Sequence, residues 1–248
     1  MVPISSLHFA QGAFTLAFTL MSLLLGVLMI QKYLKFKDKQ LLLVGLTWIF
    51  MTSVWWGDAI SFIMMLIGGE TNYLLDPLYF FINNGLVVLL FFTWPRTFGD
   101  LVLGGKKKLR KFLIWIIAIW GIIIETVFLI IFFIDYRLIG DRIGPYSAEW
   151  CLFVYSYVFL GTMVFTISGI IFSYTAIKSY DPNIQLKGKW LMGAFIMIIA
   201  GAVLEVFFVE IEEINLVARI LFIFAALSFY IGFVLPDFVK KLFKIEKK

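Results

Sequence analysis

Seven apolar runs, joined by short polar loops that alternate in charge, limit what this chain can fold into more than any single residue does. The runs cover roughly residues 7–30, 41–67, 78–94, 112–134, 150–177, 190–209 and 214–235. A helix needs about 20 apolar residues to cross a hydrocarbon core, so each run is a candidate span. Of the 248 residues, 62% are hydrophobic and only 15% charged. That is too few charges to coat a water-soluble domain of this size, and much of the apolar surface must face lipid. The expected fold class is therefore all-α: a polytopic seven-helix transmembrane bundle, forming a single domain over residues 1–248 of a multi-pass cell-membrane protein. The opening segment, Met1-Val2-Pro3-Ile4-Ser5-Ser6, has no basic n-region, and no small-residue cleavage site follows the first run. The first run is accordingly read as a true span rather than a signal peptide.

Charge orders the loops. Lys32, Lys35, Lys37 and Lys39 follow the first run, and Arg96, Lys106, Lys107, Lys108, Arg110 and Lys111 follow the third. Lys178, Lys187 and Lys189 follow the fifth; Lys240, Lys241, Lys244, Lys247 and Lys248 follow the seventh. If the helices alternate in direction, these lie on one face. Of the 21 basic residues, only Arg137 and Arg142 fall opposite, with Arg219 inside the last run. The opposite loops are acidic: Glu70, Asp76, Asp135, Asp141, Glu149, Glu210, Glu212 and Glu213. The positive-inside rule then predicts an external N-terminus and a cytoplasmic C-terminus. The cytoplasmic basic clusters also suit anionic lipid headgroups, at about 1 kcal/mol per basic residue near the surface. Trp94 and Trp190 are expected at the inner interface and Trp150 at the outer one, with the third run ending at Trp94-Pro95 and the seventh at Leu235-Pro236.

Ionisable residues inside spans are costly and tend to mark function. The runs hold four, Asp58, Glu125, Glu205 and Arg219. With a rise of about 1.5 Å per residue, all four lie within roughly 15 Å of the outer ends of their helices. Asn83 and Asn84 in the third run, and Tyr155 and Tyr157 in the fifth, fall at similar depth. Together these eight form a candidate ligand pocket opening outward. Glu205 shares a helical face with Ala194, Gly201 and Ala202, small residues that admit a close neighbour. Glu125 has Ala118 and Gly121 on its side. Asn215, Arg219, Ala226 and Tyr230 line one face of the last run, and Tyr155, Thr162, Thr166, Gly169 and Ser173 one face of the fifth.

Glu205 and Arg219 each stand seven residues from Glu212, so an antiparallel hairpin brings them to one depth. Their pairing has two readings, a buried structural clamp or a direct ligand contact. Asp58 and Glu125 are then expected to lack a basic partner. They are either protonated, held by Asn83 or a tyrosine, or engaged by a cation. His8, beside Gln11, sits at the outer mouth.

Counts and motifs argue against an enzyme. One cysteine, Cys151, and one histidine exclude an internal disulfide, a Cys-rich metal site and histidine-pair ligation. Glu212-Glu213 with Arg219 has the wrong spacing for an intramembrane Glu-Glu-x-x-x-Arg protease, which also needs histidines. Trp56-Gly57-Asp58 has no second aspartyl-protease motif beside it. The last run contains no lysine for a retinal Schiff base. No metal, no cofactor and no nucleic-acid partner are expected.

The segment Tyr230-Ile-Gly-Phe-Val-Leu-Pro236-Asp-Phe-Val-Lys-Lys-Leu-Phe243 resembles the exit of seven-helix sensory modules in the N-terminal region of some prokaryotic sensor histidine kinases. Ser179–Glu205, an Asp/Pro loop followed by Lys-Gly-Lys and a glycine-bearing span with an acid, is similar in style. The resemblance implies a prokaryotic sensor. No kinase domain follows Lys248 in this sequence, so it also implies output through a cytoplasmic signalling partner. The leading expectation is a receptor-like sensor for an unidentified small molecule. The alternative is a transporter or channel for a small solute or cation that uses the intramembrane carboxylates.

Overall fold

Capping and turn residues divide the apolar runs into long helices. The computed structural model describes residues 6–103, 105–208 and 211–243. Seven helices among them are long and apolar enough to cross a membrane: Ser6–Phe36, Lys39–Gly68, Asp76–Val102, Lys107–Ile139, Leu152–Ile177, Pro182–Phe207 and Glu213–Val234. This is the helical bundle of a multi-pass membrane protein. The expected sixth-span limit at 209, the acid Glu210, Lys244, Lys247 and Lys248 lie outside the described residues. At the lysine-rich end, hereafter the basic end, several helices run a turn or more past their apolar stretch. Lysine and arginine stems can lie along such a turn while their charges stay in water.

The caps explain two of these limits. Asp38 accepts a hydrogen bond from the Gln40 N–H (2.9 Å) and starts the second span. Asp181 accepts from the Asn183 N–H (2.8 Å), with Pro182 at the first helical position. The third span does not stop at Trp94-Pro95 as expected but continues through Pro95 to Val102. Proline removes one N–H from the ladder, and polar side chains stitch this stretch of backbone instead. Arg96 Nη1 donates to the Phe92 carbonyl (2.8 Å), and the Thr97 hydroxyl to the Thr93 carbonyl (3.1 Å). The seventh span does end where expected. Leu235 adopts a left-handed conformation (φ 48°), and Pro236 leads into a short helix, Asp237–Leu242.

The sixth and seventh spans pack most extensively on each other, and the first on the second, the second on the third and the fifth on the sixth also share broad contacts, with the first reaching the seventh as well. Gly201 lies beneath the Phe222 ring, so the small residues around Glu205 do admit the neighbouring helix. Gly26 and Gly45 allow the first and second spans to cross backbone against backbone. The apolar interior has two main parts. The larger, toward the basic end, includes Trp48, Trp94, Phe165, Phe195 and Phe229. The smaller, toward the opposite end, includes Phe80, Val88, Phe91, Ile124 and Phe128. Trp94 is thus a core residue, its Nε1 donating to Ser168 Oγ (2.7 Å), and not the interfacial anchor expected of it. The fourth span is peripheral and presents Trp115, Ile119, Ile122 and Phe133 outward.

One element departs from an all-helical bundle. Between the fourth and fifth spans, β1 (Gly140–Gly144) and β2 (Ser147–Trp150) form an antiparallel hairpin. Gly140 pairs with Trp150, and its missing Cβ lets the Glu149 carbonyl approach. The Arg142 guanidinium fastens the hairpin to the bundle. It donates to the Leu74 and Pro145 carbonyls, to the Gly144 carbonyl through Nε (2.9 Å) and to Ser61 Oγ (3.0 Å). It also lies over the Tyr73 and Tyr79 rings, 4.7 and 4.1 Å from their centroids. The Tyr146 hydroxyl donates to the His8 carbonyl, tying the hairpin tip to the first span.

Candidate functional site

Two spans are interrupted at one level of the bundle. The second carries a 3₁₀ turn at Ser53–Trp55, and the third breaks after Asn84 and resumes through a 3₁₀ turn at Val87–Leu89. Such tightening leaves backbone groups short of helical partners, and it often accompanies functional sites. Here one break satisfies the other. Asn83 Oδ1 accepts from the Gly57 N–H (2.6 Å), and a side chain at position 57 would collide with that amide. Gly57 and Asn83 therefore fix the second and third spans against each other beside Asp58.

Asp58 opens into a network with five other side chains. Tyr79 donates its hydroxyl to Asp58 Oδ1 (2.6 Å), and Asn83 Nδ2 donates to the same oxygen (3.4 Å). Arg219 Nη2 lies 3.5 Å from Asp58 Oδ2. On its other side Arg219 Nη1 approaches Glu205 Oε1 to 2.5 Å, and Trp55 Nε1 donates to that same Glu205 oxygen (3.2 Å). The Glu205–Arg219 contact is ionic, because Nη1 lies off the line a hydrogen bond requires. Both Nη1 and Nε of Arg219 are buried without a hydrogen-bond acceptor. Asp58 was expected to lack a basic partner. It has one, because the seventh span places Arg219 between the second and sixth.

These groups border a cavity of about 180 Å³ enclosed by six of the spans and the hairpin. Seven of the eight residues singled out from the sequence line it: Asp58, Asn83, Asn84, Tyr155, Tyr157, Glu205 and Arg219. Tyr157 donates to Asn84 Oδ1 (2.6 Å), and the Asn84 amide in turn donates to the Phe80 carbonyl (2.9 Å). Glu125 does not line the cavity. It is half-buried on the peripheral fourth span, and among the described residues no ion pair joins it to an arginine.

The cavity has residues that the sequence did not reveal. Gln11, Trp55, Tyr79, Tyr146 and Trp150 all line it. Trp150, expected at a lipid interface, stacks on Tyr79 instead (centroids 6.0 Å apart, planes 5° apart). Two of these carried a usable signal. Tyr79 precedes Asn83 by four residues and Trp55 precedes Asp58 by three, spacings that share a helical face. Toward the basic end, Phe18, Trp48 and Phe222 close the cavity onto the larger core. Among the described residues, no three His, Cys, Asp or Glu side chains gather as a metal-binding group.

Comparison of the sequence with protein-family models and with curated proteins finds no match.

Proposed function

We propose that this chain is a receptor-like seven-helix membrane sensor whose cavity binds a small molecule. One observation carries the reading. The charged groups of Asp58, Glu205 and Arg219 and the polar side chains of Asn83, Asn84, Tyr155 and Tyr157, among others, converge from five separate spans on one aromatic-walled cavity, while the bundle beyond it is filled by Trp48, Trp94 and their neighbours. Burying two carboxylates and a guanidinium is costly, and packing alone has no need of them. A pocket that is mostly apolar, with a few convergent polar groups, is the usual form of a small-molecule site.

The orientation that goes with this reading places the N-terminus and the hairpin outside. Its support is the concentration of lysine and arginine at the other end. The basic end would then meet anionic lipid headgroups and a cytoplasmic signalling protein. Reporter fusions at Lys248 should be active in the cytoplasm, and a tag placed after Met1 should be accessible from outside. The opposite result removes the outward-facing pocket.

A transporter of a small solute is the second reading. The paired interruptions of the second and third spans favour it, because transporters place discontinuous helices at their substrate sites. A thermal-stability screen of the protein in lipid nanodiscs, followed by flux of each hit into proteoliposomes, separates the two. The sensor reading expects a compound that raises the melting temperature and is not carried across. Sustained flux of the hit establishes the transporter instead, and a diverse library with no stabilising compound sinks the ligand pocket.

A further inference from the structure

The charge of the cavity wall points to the class of molecule it takes. We infer that the cavity binds an organic monocation, an amine or quaternary ammonium with an apolar or aromatic body, whose positive group sits against Glu205. This rests on the proposal that the cavity is a ligand pocket.

Among the described residues, the charged side chains that line the cavity are Asp58, Glu205 and Arg219. One guanidinium set between two carboxylates leaves one negative charge in excess. Arg142, behind Tyr79, adds nothing to that sum because it has its own partner in Asp76 (3.4 Å). Exposure is divided unequally among the three. Arg219 and Asp58 are almost wholly covered, with 6% and 7% of their side chains exposed, whereas Glu205 keeps 21%. The guanidinium faces its carboxylates, and the charge left accessible is the Glu205 carboxylate.

The rest of the wall agrees. Trp55, Tyr79, Tyr146, Trp150, Tyr155 and Phe222 surround the polar cluster with ring surface. Aromatic faces attract cations, most strongly when water is excluded, and aromatic cages are a standard site for quaternary ammonium groups. An anion would place a third negative charge beside a guanidinium already shared by two. A neutral ligand would displace water from the excess carboxylate and offer no charge in exchange. A cation offsets the excess and uses the rings. The anchoring carboxylate and its orienting partner come from different elements, since Trp55 on the second span donates to Glu205 on the sixth. A cation bound there would touch both.

The test uses three aromatic probes that differ mainly in charge: benzyltrimethylammonium, benzyl alcohol and benzoate. Each is titrated into the full chain in nanodiscs of zwitterionic lipid, with tryptophan fluorescence as readout, because Trp48, Trp55 and Trp150 line the cavity. The expected result is saturable binding of benzyltrimethylammonium, with the other two at least tenfold weaker. Glu205→Gln should weaken the cation tenfold or more and leave benzyl alcohol unchanged. The charge series is read on the unaltered chain, so a variant that fails to fold does not remove the test. Equal binding of the alcohol and the cation would mean that a proton already offsets the excess charge, and it overturns the inference. Tighter binding of benzoate overturns it as well. Either outcome leaves the ligand pocket standing. Absence of saturable binding by all three overturns the cation class, and the library screen then decides separately whether the cavity is a ligand pocket.

Discussion

Arg142 and Arg219 are equally buried, each with 6% of its side chain exposed, yet they are satisfied in opposite ways. Arg142 is surrounded by neutral acceptors, namely three backbone carbonyls and the Ser61 hydroxyl, and its one acid, Asp76, is half-exposed to solvent. Arg219 is held by one buried carboxylate, one partly exposed carboxylate and one indole, with two of its nitrogens lacking a hydrogen-bond acceptor. A guanidinium that fills its fork with carbonyls has reached a geometry that needs nothing more. One that bridges carboxylates beside a cavity has its charge matched but keeps N–H donors in reserve. Burial alone therefore does not distinguish the two arginines. The completeness of its hydrogen bonding separates a clasp from a site.

The largest effect should come from Arg219. Arg219→Gln leaves Asp58 and Glu205 facing each other without a cation, a loss of about 3–5 kcal/mol if the cavity is dry. Thermal unfolding in detergent should register this, and adding Glu205→Gln should recover part of it. Melting that is untouched by either single change would mean that water solvates the cluster. The contrast with Arg142 would then lie in hydration rather than in unmet hydrogen bonding.

Arg142→Ala should cost less, about 2–3 kcal/mol, because the acceptors it abandons are neutral and Asp76 already reaches water. The damage should be local. Amide exchange should rise across 140–150 and in the first span near His8, while the cavity-facing halves of the sixth and seventh spans stay protected. Exchange rising throughout the bundle would make Arg142 a global element and dissolve the distinction between clasp and site.

Much of this was legible in the sequence, and the reasons are specific. Seven spans follow from apolar run length and loop charge. The Glu205–Arg219 contact follows from equal spacing about a hairpin turn, since antiparallel packing fixes depth. The role of Arg142 was not legible. Its partners are backbone carbonyls from Leu74, Gly144 and Pro145, and carbonyls have no sequence signature. The hairpin that carries it is also too short for an alternating pattern to stand out. Arg219 between two carboxylates was half-read. The pairing with Glu205 is local in the chain, whereas the approach to Asp58 spans 161 residues and depends on how the second span packs. Tyr79 was missed although it precedes Asn83 by four residues, because in an aromatic-rich chain that spacing points to an acid only once the hydroxyl is seen to donate to Asp58.

Asn83 tests the scaffold that both arginines depend on. It accepts from the Gly57 N–H and donates to Asp58, so Asn83→Ala leaves a buried donor without an acceptor, at about 1–2 kcal/mol. Asn83→Asp keeps the acceptor oxygen but puts a third carboxylate beside Asp58. If carboxylates already outnumber the one guanidinium of the cluster, the aspartate should be the worse of the two in thermal unfolding, although it is nearer in shape to asparagine. The reverse order would mean that the Gly57 hydrogen bond outweighs the charge balance of the cluster.

The smallest effect should come from Glu125, a carboxylate of the fourth span that, among the described residues, pairs with neither arginine. It sits half-buried on the fourth span, beyond the cavity, where the surrounding face is apolar. Glu125→Gln conserves shape and removes a charge that no cation offsets, so stability should change by no more than about 0.5 kcal/mol or rise slightly. Ligand-induced stabilisation should be unaffected, because a residue that does not line the cavity has no contact to lose. The pair Glu125→Gln and Asp58→Asn then forms an internal control, the same chemical change made outside and inside the reach of Arg219. Loss of ligand response from both would place the fourth span in the responding unit. What matters would then be any carboxylate within the membrane, and the arginine beside it would no longer define the site.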